Sequence, residues 1–148
     1  MLASRLGSFE GLRVADLFAG TGALGLEALS RGAARCTFVE QDRAALAALR
    51  ANIDRLGAEA EVRAQSALVP LAGPFDLVLL DPPYDSGLGQ QALTKLAETG
   101  AIAPGTWASL ETGAREAVDL PGFAIEAERV HGKAKLTLLT LEGAAPCG

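Results

Sequence analysis

Cysteine is scarce in this 148-residue chain: Cys36 lies in an apolar run and Cys147 is next to last. Two thiols so placed argue against a disulfide framework and against a metal site, and no metal is expected. Histidine occurs once, at His131. No apolar stretch approaches the ~20 residues that cross a bilayer, so no membrane partner is expected. The opening MLASRLGSFEG lacks the apolar core of a signal peptide, which points to a cytoplasmic protein. Positive charge is also short: 13 Lys and Arg stand against 18 Asp and Glu, a net charge of −5. Proteins that hold nucleic acid through its phosphates carry a basic face, and here any such face has to be local. Repeats and low-complexity segments are absent.

What is present is ordinary globular composition, with 49% hydrophobic and 21% charged residues. The length suits one domain over residues 1–148. Short β-like runs alternate with longer helical ones. RVADLF (13–18), RCTFVE (35–40), EVRA (61–64), FDLVLL (75–80) and TWASLE (106–111) read as strands. GALGLEALSRG (22–32), DRAALAALRANIDRLG (42–57) and GLGQQALTKLAETG (87–100) read as helices. In the second helix Asp42 is placed as N-cap and Gly57 as the stop, with Leu46, Leu49, Ile53 and Leu56 on one face. Trp107 falls on a core strand, and Lys95 and Glu98 on an exposed helix face. The tail changes rhythm: GFAIEAERV (122–130) and KLTLLTL (135–141), joined by HGKA, form an antiparallel pair. The fold class is therefore α/β, a doubly wound, mostly parallel sheet with an antiparallel C-terminal strand. Ligands of such sheets bind at the carboxyl ends of the strands, where strand order reverses.

Two motifs fall at that edge. Gly20-Thr21-Gly22-Ala23-Leu24-Gly25 matches GxGxxG, a turn that admits a ligand close to the backbone and to the free N–H groups of the following helix. Glu40 closes the next strand, at the interval where a dinucleotide fold holds a ribose. Those residues alone leave a nicotinamide open. Asp16 decides against it, because a carboxylate beside a pyrophosphate repels it. The same carboxylate suits S-adenosylmethionine, which carries an ammonium, a sulfonium and a ribose diol but no phosphate.

The second motif is Asp81-Pro82-Pro83-Tyr84, directly after FDLVLL. Its prolines remove two N–H donors and leave carbonyls that only accept. An exocyclic amine of a base is a poor nucleophile, since its lone pair is delocalised into the ring. Acceptors aimed at its two hydrogens, the Asp81 carboxylate and the Pro82 carbonyl, favour the pyramidal nitrogen that attacks a methyl group. Tyr84 offers a face on which an extruded base stacks.

The order DLFAGTGALGLEALSRGA, FVEQDRAAL, NI, FDLVLLDPPY resembles the class I methyltransferases. It is most similar to the RsmD type, which methylates the exocyclic amine (N2) of a guanine in 16S ribosomal RNA. The likeness runs from Leu12 to Leu141, and its LFAGTGALGLEALSRGA block is highly specific. It implies a seven-stranded sheet with an antiparallel last strand, S-adenosylmethionine as cofactor, and ribosomal RNA or the small ribosomal subunit as partner. By match, Asp16, Gly20, Thr21 and Gly22 hold the methionine part and Glu40 the ribose, while Asp81, Pro82, Pro83 and Tyr84 hold the target amine. The cofactor set is completed by Phe18, Gln41, Ser66, Ala67 and Asp81. Many class I enzymes place an acid against the adenine after the third strand; here that stretch is Gln65-Ser66-Ala67, with Ser66 as the candidate contact. Members usually begin with a basic segment, whereas this chain starts at MLASRLG, within the helix that segment leads into. The grip on RNA is expected to be weak without such an arm.

The one basic cluster, Arg129 to Lys135, is either a solvated hairpin turn or a local patch facing RNA. His131 within it is not needed as a base, since an amine proton leaves to water after transfer. Two further readings stay open: a methyltransferase acting on adenine N6 in DNA or RNA, since DPPY serves that chemistry too, and a catalytically silent cofactor-binding domain of an assembly.

Overall fold

The structure, a computed structural model, describes residues 6–143, so Cys147 lies outside it. Seven strands, β1 (Arg13–Leu17), β2 (Arg35–Glu40), β3 (Ala60–Ala64), β4 (Leu77–Leu80), β5 (Trp107–Gly113), β6 (Phe123–His131) and β7 (Ala134–Leu141), form one sheet. Three helices accompany them among the described residues: α1 (Ala23–Ser30), α2 (Arg43–Leu56) and α3 (Leu88–Thr99). The strand order is β3-β2-β1-β4-β5-β7-β6. The first five are parallel and β7 runs antiparallel to both β5 and β6.

This is the seven-stranded, mostly parallel sheet that the sequence implies, with one refinement at its end. The terminal hairpin does not simply add its last strand as an edge: β7 inserts between β5 and β6. Side-chain chemistry explains the order. Thr137, Leu138 and Leu139 of β7 are fully buried, so this strand needs cover on both faces. Most of β6 is exposed and carries Glu126, Glu128 and Arg129, which suits an edge and blunts further pairing.

Apolar residues fill both faces of the sheet. Ala15, Leu17, Val78, Leu80 and Leu110 pack with Ala92, Leu93 and Leu96 of α3. On the opposite face Val14, Phe38, Leu77 and Leu79 meet Leu26 and Ala28 of α1 and Leu46 and Leu49 of α2. Helix α2 is capped as its sequence dictates, with the Asp42 carboxylate accepting from the Ala45 amide at 2.9 Å and Gly57 left-handed at its end. Leu56 departs from the expectation: it is 61% exposed. It rims a surface hollow that Leu26, Leu29 and Ala58 also line, rather than sealing the core.

Strand order reverses between β1 and β4. Leu17 pairs with Val39 on one side and Leu80 on the other, and Leu80 pairs with Leu110. The next residue along each strand (Phe18, Glu40, Asp81 and Glu111) therefore lies in one row at the carboxyl edge. Both sequence motifs open onto this row.

Candidate active site

The glycine loop is shaped by backbone conformation and held by hydrogen bonds to its neighbours. Strand β1 ends one residue sooner than its apolar run suggests, because Phe18 turns left-handed at φ 58°. A non-glycine residue there is strained and persists only where its surroundings impose it. Gly20 and Gly22 follow at φ 59° and 87°. A Cβ on Gly20 would meet open space, whereas one on Gly22 would lie 2.4 Å from Leu49 Cδ1. Gly25 is needed for packing: its Cβ would lie 2.5 Å from the Phe38 ring and 2.7 Å from Cys36 Sγ. The Ala19 amide donates to the Val39 carbonyl at 3.0 Å and the Gly20 amide to Glu40 Oε1 at 2.8 Å. Asn52 of α2 donates to the carbonyl of the otherwise exposed Thr21 at 3.0 Å.

Beneath this loop lies Asp16, 1% exposed, accepting from the Gly25 amide at 3.0 Å. Burial pushes its carboxyl up to about 7; the Gly25 hydrogen bond opposes the shift, and the Asp81 and Glu40 carboxylates add to it. The ion pairs among the described residues do not involve Asp16. Burial, with the Asp16 charge, also pushes the neighbouring free Cys36 thiol up, which leaves it inert as a nucleophile. Glu40, Asp16, Asp81 and Glu111 thus place one acid from each of four adjacent strands toward the carboxyl edge, where Glu40 and Asp81 line one cavity, Glu111 lines another and Asp16 lies buried beneath the loop. Such an edge favours a ligand that carries positive charge.

A cavity of about 750 Å³ opens here, lined by Phe18, Glu40, Gln41, Ala67, Asp81 and Pro82 among others. Glu40 is already well engaged. Besides Gly20, its carboxylate accepts from the Gln41 and Asp42 amides, both at 2.9 Å. Three of about four acceptor positions are then filled, leaving one for a hydroxyl. At the end of β3 the residue facing the cavity is Gln65, not Ser66. The Ser66 hydroxyl accepts from the Leu68 amide at 3.2 Å and shapes the turn. Gln65 Nε2 is buried with no hydrogen-bond partner, a donor aimed at nothing in the protein.

In the second motif Asp81 is exposed and Pro82 buried. Gly89 of α3 makes room for Pro82, since a Cβ there would lie 3.0 Å from Pro82 Cγ and 2.5 Å from Leu110 Cδ1. The Pro83 carbonyl is taken by the Ser86 hydroxyl at 2.6 Å, and Ser86 Oγ in turn accepts from the Leu88 amide at 3.2 Å. Tyr84 is 46% exposed, and its hydroxyl donates to Glu111 Oε2 at 3.4 Å. Glu111, half-buried within β5, carries no motif that marks it in the sequence. The hydrogen bond it shares with Asp81, then partial desolvation, then the Asp81 charge hold its carboxyl above the usual carboxylate range.

The basic cluster of the tail is split. Arg129, His131 and Lys133 are exposed, but Lys135 is 7% exposed and its ammonium donates to the Glu116 carbonyl. Lys135 pairs with Val130 and Leu136 with Arg129, so Lys135 and Arg129 project from opposite faces. The three fixed charges of that cluster therefore do not share one surface, which favours the solvated-turn reading over the patch.

Comparison with known proteins agrees with this arrangement. The family model described as Conserved hypothetical protein 95 matches residues 1–140. The chain is 41% identical over 105 residues to Ribosomal RNA small subunit methyltransferase D of Haemophilus influenzae, covering 66% of this chain and 54% of that protein. It spans about half the length of the curated relatives it matches. A conserved hypothetical protein of Streptococcus pyogenes superposes with a TM-score of 0.86 at 32% identity, covering 95% of this chain and 93% of the other. The Pyrococcus abyssi tRNA (uracil-54, C5)-methyltransferase in complex with S-adenosyl-L-homocysteine shares the fold alone, with a TM-score of 0.72 at 18% identity over 95% of this chain and 37% of its own. The sheet is that of the class I methyltransferases, and the chain belongs to the Conserved hypothetical protein 95 family, the one its LFAGTGALGLEALSRGA block identifies as the RsmD type.

Proposed function

We propose that this chain is an S-adenosylmethionine-dependent methyltransferase that modifies the exocyclic N2 amine of a guanine in 16S ribosomal RNA, within one domain and in the cytoplasm. The observation that carries the reading is the placement of a buried, uncompensated Asp16 beside Asp81-Pro82-Pro83-Tyr84 across the point where strand order reverses. The donor set fits the cofactor on three counts. Asp16 and its acidic neighbours match positive charge, Glu40 keeps one acceptor for a ribose hydroxyl, and Gln65, at the cavity wall with its amide unpaired and buried, can turn that amide to a ring nitrogen of adenine. S-adenosylmethionine bound there supplies the transferable methyl group.

The chain's own work is binding and orientation. Phe18, Gln41 and Ala67 wall the cavity, and Gly20, Thr21 and Gly22 carry the backbone past the ligand. Asp81 and the Pro82 carbonyl accept from the two amine hydrogens, which localises the nitrogen lone pair as it becomes the nucleophile. Tyr84 offers its exposed ring to the base. No strong base is required, since the proton lost from the nitrogen leaves to water.

The experiment is tritiated-methyl transfer to small ribosomal subunits and to naked RNA, followed by nuclease digestion and identification of the modified nucleoside. N2-methylguanosine is the expected product. N6-methyladenosine would replace the reading with the adenine-directed one, and cofactor binding without transfer to either substrate would leave a silent binding domain.

A further inference from the structure

We propose that Glu111 makes this site select guanine over adenine, its carboxylate accepting the N1–H of a base whose exocyclic amine is held by Asp81 and Pro82. The inference rests on the methyltransferase reading above and adds the chemistry by which that site chooses its base.

Glu111 is placed for the role by the sheet. Leu79 pairs with Ser109 and Leu80 with Leu110, so Asp81 and Glu111 leave neighbouring parallel strands side by side, on the face that Leu79 and Ser109 share. Tyr84 donates to Glu111 Oε2 at 3.4 Å, and Glu111 also shares a hydrogen bond with Asp81, so the two carboxyls lie close enough to meet two neighbouring donors of one base. There is space on both sides: Glu111 lines a cavity of about 360 Å³ with Leu24, Glu27, Arg31 and Ser109, while Asp81 and Pro82 line the one of about 750 Å³. The ion pairs among the described residues involve neither Asp81 nor Glu111. Two adjacent carboxyls that share a hydrogen bond, and have no ion pair among the described residues, exchange it for the N–H donors of whatever enters.

The bases differ in what they bring. A guanine turned out of its stack presents N1–H directly beside the N2 amine, an unbroken row of N–H donors. Adenine and cytosine present their amine beside a ring-nitrogen lone pair, which a second carboxylate repels. Asp81 and the Pro82 carbonyl alone accept from any exocyclic amine. Discrimination requires a second acceptor one ring position away, and Glu111 is the acid that adjoins Asp81.

The test uses the whole chain and two RNAs: one with the mapped target guanine, and one with 2-aminopurine at that position. The analogue keeps the amine but replaces N1–H with a lone pair. At saturating cofactor, kcat/KM of the wild type is expected to favour guanine by on the order of 10²-fold or more, as a site built around a donor rejects a base lacking it. Glu111→Gln preserves size and can turn an N–H toward a ring nitrogen. It is expected to lose about tenfold on guanine and to bring the two substrates within a few-fold of each other. A merely structural role would lower both rates and leave their ratio alone. Equal wild-type rates on the two RNAs, or an unchanged ratio in Glu111→Gln on a verified guanine, would overturn the proposal by itself. Methylation confined to adenine would overturn the parent reading and this one with it. The wild-type ratio needs no variant to fold and stands as an independent arm.

Discussion

The Asp16 carboxylate accepts the Gly25 amide at 3.0 Å across the root of the glycine loop, tying the end of β1 to the first turn of α1. One hydrogen bond does not offset burial, and the carboxyl is pushed up to about 7. The ammonium group that S-adenosylmethionine and S-adenosylhomocysteine share favours the ionised form. Affinity for S-adenosylhomocysteine should therefore weaken about tenfold per pH unit below pH ~7 and level off above it. Calorimetry across that range checks the slope. Asp16→Asn should bind more weakly and lose the pH dependence.

The same group should trade stability against function. Its carboxyl rises from 3.8 in the unfolded chain to about 7 in the fold. Between those values the native state keeps a proton that the unfolded chain releases, so stability falls as pH rises through that window and the penalty is complete above it. Asn at position 16 retains an acceptor for Gly25 without the charge. Asp16→Asn should thus stabilise the ligand-free protein by on the order of a few kcal/mol at pH ~8, and by less at pH ~5. Urea unfolding at the two pH values gives the comparison; a variant less stable than wild type at the higher pH would contradict it.

Gln65 and Ser66 divide the end of β3 between binding and structure. The Gln65 amide is an unpaired buried donor, while the Ser66 hydroxyl is spent on the Leu68 amide. Gln65→Ala should weaken S-adenosylhomocysteine binding by about 3–10-fold, the worth of one hydrogen bond. Ser66→Ala should leave affinity nearly unchanged and lower the melting temperature slightly. The reverse pattern in titration calorimetry would return Ser66 to the adenine site.

These differences show how far the sequence could be read. Strands β1, β2 and β4 and the capped helix α2 announce themselves by apolar runs and punctuation, and the glycine loop with Asp16 and Glu40 lies within one contiguous stretch. Glu111 does not. Its meaning comes from β5 lying against β4, a pairing between residues 27 or more apart that no local pattern encodes. Lys135 failed for the opposite reason. A run of nearby cations looks like a patch, yet the two-residue alternation of β7 turns Lys135 to one face while its partner strand turns Arg129 to the other. Ser66 and Gln65 differ by one position, and only the exit of the chain from β3 decides which of them faces the cavity.

Asp81 is the hinge of the whole account, since it adjoins both the cofactor cavity and Glu111. The most direct measurement is the single-turnover rate of methyl transfer by Asp81→Ala at saturating S-adenosylmethionine and RNA, set beside its affinity for S-adenosylhomocysteine. Loss of an acceptor that acts on the reacting amine should slow transfer by about 10²–10³-fold while affinity changes little. A rate near that of the wild type, on a substrate whose modified guanine has been mapped, would contradict the assignment of Asp81-Pro82-Pro83-Tyr84 as the place where the amine is held.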